Sequence, residues 1–218
     1  MQLRARQLVK NWLTPYLKEK GFTKNGRLYS RHAGRMLHLI DIQQSPYNRA
    51  DEVSFALNCG VHVPGVKSHF WNAPEPTKLD AADGIIDTRP GLVTVPKCPQ
   101  WWHLRTSDGP EIDSAIGTNM RLVVEDGAFR RFFDRFQREN DVAEFLSQPR
   151  KNEDRQIMPA NDNLGLVYAG IIWDQLGEYE KCKKCMAHAA ELAKGKRLEA
   201  DIEKFARDYV CGKLPRIA

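Results

Sequence analysis

Residues 21–65, GFTKNGRLYSRHAGRMLHLIDIQQSPYNRADEVSFALNCGVHVPG, read as consecutive antiparallel strands and decide the fold class. In the last of them Val53, Phe55, Leu57, Cys59, Val61 and Val63 alternate with Ser54, Ala56, Asn58, Gly60 and His62. Period two over that length is the pattern of a strand with one face buried. Met36 to Gln43 also alternates, setting Met36, His38, Ile40 and Ile42 against Leu37, Leu39, Asp41 and Gln43. Both of its faces are partly apolar, which predicts a central strand. A first strand around Arg27 to Arg31 joins it through Ala33-Gly34, where glycine supplies the positive φ of a tight turn. A meander is the simplest topology.

Around this sheet the chain divides by composition. The opening segment places Leu8, Val9, Trp12, Leu13, Tyr16 and Leu17 at helical spacing and ends at Gly21, with Pro15 predicting a kink or a restart capped by Thr14. Seven prolines between Pro64 and Pro110 break the next stretch into short pieces, with short strands expected at Leu92 to Val95 and Trp101 to Arg105. From Ala115 to Glu125 the pattern is compatible with helix or strand. Phe129, Phe132, Phe133 and Phe136 share a helical stripe and predict core, followed by a short helix carrying Val142, Phe145 and Leu146. Residues 149–162, PRKNEDRQIMPAND, carry two prolines and no period and read as a linker. Three helices are expected beyond it, at Asn163 to Leu176, Tyr179 to Ala193 and about Arg197 to Val210. The expected class is α+β, divided into residues 1–148, a linker at 149–162 and a helical appendage at 163–218.

The 218 residues carry a net charge of +5, unevenly placed. Residues 1–35 hold nine Lys/Arg and one acid, a balance of +8, whereas residues 36–128 stand at −5. A basic opening helix admits phosphate contacts, and nucleic-acid binding of that kind is salt-dependent. No apolar run reaches the length of a membrane span, and MQLRARQLVKNWL lacks an uninterrupted signal-peptide core. The expectation is a cytoplasmic protein without membrane association. Its five cysteines are scattered and odd in number, which fits reduced thiols better than a disulfide framework.

Candidate chemistry is sparse. Cys182-Lys183-Lys184-Cys185 with His188 offers three local donors where a structural zinc site wants four, so neither metal nor cofactor is expected. His38 and His62 lie on the predicted sheet near Asp41, and a histidine oriented by a carboxylate can do acid–base work, yet no spacing is diagnostic. Trp101, Trp102, His103 and Arg105 form the other candidate set. Adjacent tryptophans on a strand point to opposite faces, leaving one for a partner or a stacked base. The candidate binding residues are therefore His62, His38, Trp101, Trp102, His103 and Arg105.

Two family resemblances follow from particular residues. Leu176-Gly177-Glu178-Tyr179-Glu180-Lys181, followed by the small residues Cys182, Ala189 and Ala190, resembles the turn and second helix of one tetratricopeptide-type hairpin. A single copy builds no stacked groove. Tyr16 to Phe22, Tyr29, Gln43-Gln44-Ser45, Asn58 to Val61 and Cys98 to Arg105 resemble the bacterial family catalogued as domain of unknown function 4304, over about residues 8–146. That resemblance implies an α+β domain and brings no catalytic residues. The functional expectation is a non-catalytic protein-binding module with a regulatory or immunity-type role. A nucleic-acid-associated protein and an enzyme with a His/Asp site on the sheet are the alternatives.

Overall fold

A computed structural model describes residues 2–159, 162–212 and 214. The opening segment runs without a break through α1 (Gln2–Leu8), a π-helical turn (Val9–Leu13) and α2 (Thr14–Glu19). Pro15 has no N–H, and its ring would collide with the carbonyl of a regular preceding turn. The wider turn relieves both problems, and the Thr14 N–H and hydroxyl both donate to the Val9 carbonyl. Thr14 is thus helical, with φ −59°, rather than an N-cap. Leu8, Val9, Leu13, Tyr16 and Leu17 of the stripe are buried, in the turn and on both sides of it, whereas Trp12 lies 37% exposed over Gly117.

The sheet consists of β1 (Thr23–Asn25), β2 (Leu28–Ala33), β3 (Met36–Gln44), β4 (Glu52–His62), β5 (Ile86–Thr88) and β6 (Trp102–Arg105). The first four form an antiparallel meander, of which the alternation predicts β2, β3 and β4. The short polar β1 escapes sequence reading because all three of its residues are exposed and carry no period. Both β5 and β6 pair with the long β4, β6 along residues 52–55 and β5 along residues 59–61.

Register assigns the faces. Tyr29, Ile40 and Cys59 lie side by side on the core face, as do Arg31, His38 and Val61. Ser30, Leu39 and Gly60 share the outer face, with Asp41 opposite Asn58. The helices of the opening segment and the four phenylalanines cover the core face, where Phe132, Phe133 and Phe136 are at most 1% exposed. The stripe that they share is not one helix, however: it passes from a π-helical stretch (Val123–Arg130) to a 3₁₀ turn (Phe133–Arg135).

Between the strands lie α3 (Val66–Trp71), a 3₁₀ turn (Ala81–Asp83) and α4 (Pro90–Val93). The strand expected from Leu92 is instead this helical turn, because Pro90 at its first position presets φ for a helix. The ambiguous 115–125 region is helical, from α5 (Pro110–Leu122) into the π-helical stretch. There follow α6 (Glu139–Ser147), α7 (Asp162–Gln175), α8 (Tyr179–Ala193) and α9 (Glu199–Val210). Along the segment read as a linker, Arg150 donates to the carbonyls of Ile157 and Pro159, Ile157 is buried, and Met158 bridges to Asp87. Its residues 160 and 161 lie outside the described ones. The architecture is α+β, and no helix among the described residues is long and apolar enough to cross a membrane.

Candidate functional site

On a two-faced strand the outward positions are polar where water or a ligand meets them. Here the outward residues of β3 and β4 line a cleft of about 570 Å³, walled by the segments around residues 80–89, 100 and 155–158. At its centre the Asn58 amide donates to Gln43 Oε1 at 3.1 Å, and Arg89 Nη2 donates to the same oxygen at 3.2 Å. The Arg89 guanidinium lies 4.8 Å from the centroid of the Trp101 ring, a cation–π contact that orients it. Arg27 Nε stands 3.0 Å from Asp41 Oδ1, an ion pair off the line of a good hydrogen bond, and Arg27 Nη2 is 3.5 Å from Asp80.

The cleft shifts its carboxyl groups. Burial raises Asp41 above the ordinary carboxylate range, opposed by Arg27 and reinforced by Asp80. Burial likewise pushes Asp87 up to about 6, with the Lys67 ammonium opposing and Asp80 adding. Lys67 itself is lowered by burial and offset by Asp87, Asp83 and Asp80, and it donates to the Ala82 carbonyl at 2.7 Å. The arrangement presents a fixed guanidinium, oriented amides and a carboxyl that takes up a proton just below neutral pH. Such a set offers donors and acceptors to match a polar ligand, and Asp87 also has the proton affinity of a general acid or base.

The residues expected from sequence do not converge. His38 faces the core, stacked on Phe133 with ring centroids 4.5 Å apart. Asp41 faces outward, three residues along the same strand, so the His38/Asp41 pairing cannot form. His62 is on the outer face but nearer α3, with Nδ1 3.4 Å from the Asp83 carbonyl and Nε2 3.5 Å from Glu75. Trp102 enters the core and donates from Nε1 to Asn119 at 2.8 Å. Trp101, half-buried just before β6, backs Arg89 and is the one of the six that supports the cleft. His103 and Arg105 are exposed on β6, His103 bonded to Ser54 at 2.7 Å and Arg105 3.9 Å from Glu52.

Sequence reading passed over Arg89, Asp87 and the roles of Gln43 and Asn58. Gln43 and Asn58 were visible as polar outward positions of alternating strands, but Arg89 and Asp87 lie in a proline-broken region without period. The CxxC motif lies elsewhere: Cys182 and Cys185 are buried in α8, Cys185 Sγ is 3.4 Å from Ser147 Oγ, and burial raises its thiol. Among the described residues no group of three or more His, Cys, Asp or Glu is placed to hold a metal ion.

Comparison with known families matches residues 13–126 to the model described as Domain of unknown function (DUF4304). That span contains α2 of the opening segment, the whole sheet and most of the cleft. Searches of curated proteins and of solved structures returned no match.

Proposed function

The chain belongs to the domain of unknown function 4304 family, and from that premise we propose that it is a non-catalytic binding module of the cytoplasm, regulatory or immunity-type in role. Its partner is a protein, of which a polar segment lies across the outer sheet face and seats in the cleft. The observation that carries this reading is the chain Trp101–Arg89–Gln43–Asn58, in which an aromatic ring and the Gln43 amide oxygen hold one guanidinium and Asn58 holds Gln43. Arginine backed by tryptophan is a frequent anchor of protein interfaces, and a pre-oriented group loses little entropy on binding. The tetratricopeptide-like α7–α8 hairpin serves in this reading as packing rather than as a groove.

The test is capture from a host lysate on immobilised protein, with nuclease and high salt, comparing wild type with Arg89→Ala and Trp101→Ala. The expected result is one stoichiometric polypeptide that Arg89→Ala releases, with affinity reduced about thirtyfold, as for an interface hot spot. Material dominated by nucleic acid and removed by salt, or a polypeptide indifferent to Arg89→Ala, sinks the proposal.

Asp87 favours a second reading, an enzyme that uses this carboxyl as its acid or base within the same cleft. It requires a turnover that disappears in Asp87→Asn and titrates near pH 6, with the fold unchanged.

A further inference from the structure

The geometry points to a separate site for a small, freely soluble amphipathic anion, an alkyl chain bearing one carboxylate, between α1 and the β1–β2 hairpin. A cavity of about 630 Å³ opens there, within the range of small-ligand pockets. Its floor is apolar: the half-buried Ile42 of β3 supplies the open surface, backed by the buried Val9 of the π-helical turn and Phe55 of β4. Its rim is cationic. Arg6 and Lys10, four residues apart, come from the helical face, and Lys24 and Arg27 flank the Gly26 turn, where φ is +62°.

Unlike the polar cleft, this lining holds no carboxylate. Among the described residues the ion pairs at the rim are those of Arg27 with Asp41 and Asp80, while the Lys24 ammonium sits 5.2 Å from the Tyr29 ring centroid. With Arg27 already paired, Arg6, Lys10 and Lys24 remain as three like charges around an apolar floor, a local positive potential that favours an anion. The aliphatic stems of Lys and Arg extend the apolar wall upward, so each methylene of a bound chain leaves water while its carboxylate stays among the charged heads. Four of the nine Lys/Arg of residues 1–35 stand around this cavity.

A nucleic-acid strand fits less well. Phe55 is 1% exposed and tilted against Trp102 at 5.5 Å, so it presents no ring face on which a base can stack. The site shares Arg27 and Gln44 with the polar cleft but none of the Trp101–Arg89–Gln43–Asn58 chain. Its success or failure is therefore independent of the proposed function.

The test is calorimetric titration of the full chain with octanoate, with acetate and octan-1-ol as the anion without a chain and the chain without an anion. Octanoate is expected to saturate one site, and both controls to bind at least tenfold more weakly. The double variant Arg6→Glu/Lys10→Glu, on exposed side chains, is expected to weaken octanoate about tenfold or more with no change in melting temperature. Ile42→Gln provides a second variant, expected to weaken octanoate while leaving acetate unaffected. The inference is overturned if octanoate does not saturate, if the charge-reversed variant binds it equally, or if octan-1-ol matches it. Binding of anionic phosphatidylglycerol vesicles or single-stranded DNA that octanoate does not displace also overturns it.

Discussion

His38 shows how much a single side chain's surroundings decide. Its Nε2 donates to the Phe136 carbonyl at 2.8 Å, which leaves Nδ1 to accept from Arg31 Nη2 at 3.0 Å. Both nitrogens are used by the neutral ring, and burial, with Arg31 adding to it, lowers its pKa from 6.5 to about 4. The unfolded chain therefore takes up this proton first as pH falls. His38 contributes stability above pH 6.5 that is lost between pH 6.5 and about 4, at most about 3 kcal/mol. Asp87 works in the opposite sense over nearly the same window. Its raised pKa means that the folded state binds the proton first, so stability from this group grows as pH falls from about 6 toward 4. Urea unfolding at pH 7 and pH 4.5 checks both: relative to wild type, acid should cost Asp87→Asn more stability and His38→Phe less. Equal pH slopes in all three proteins would refute the assignment. His38 is in phase with Met36 and Ile40, so its core position was already legible in the alternation. Its partners were not, because Phe136 is 98 residues away.

At the scale of elements, the close approach of the Ala81–Asp83 turn to the sheet shapes one end of the cleft. A Cβ on Gly60 would stand 2.3 Å from the Ala81 carbonyl oxygen, a backbone atom with little room to yield. Gly60→Ala is expected to lower stability by about 1–3 kcal/mol, in the manner of overpacking, and to displace Asp80 from Arg27. Denaturant unfolding measures the first effect, and a loss below about 0.5 kcal/mol would show that the turn moves freely. The two helical irregularities have local causes of different visibility. Pro15 announces a disturbance in the opening helix, but only the described geometry shows a π turn as the solution. The π-helical stretch at Val123–Arg130 carries no such marker in the sequence.

Across the whole molecule, one apolar core runs from the opening helices through the sheet to α9. Most of α7 is buried, as befits a helix packed against α6, α8, α9 and α3. Trp71 Nε1 donates to Tyr168 OH at 3.2 Å, and Phe70 meets Tyr168 and Phe205 edge-on, tying α3 to the terminal helices. Heating the intact chain should give one calorimetric transition, and ending it at residue 148 should lower the melting temperature and expose apolar surface to a hydrophobic dye. Two resolved transitions, with a truncated chain as stable as the parent, would show instead that the terminal helices fold apart.

The sequence alone determined the class and the meander, because a strand's period of two is local and survives without knowledge of its neighbours. It determined the terminal helices for the same reason, their apolar spacing and turn glycines being contained within a few residues. Period two already put His38 and Asp41 on opposite faces of one strand, but tertiary structure alone decided which face turns to the helices and set Asp41 opposite Asn58. It alone brought Arg89 and Asp87, from a stretch without period, to the outer face of β3 and β4, and Arg6 and Lys10 to the β1–β2 hairpin. Sites of this kind are assembled by long-range pairing and packing, and no spacing along the chain encodes them.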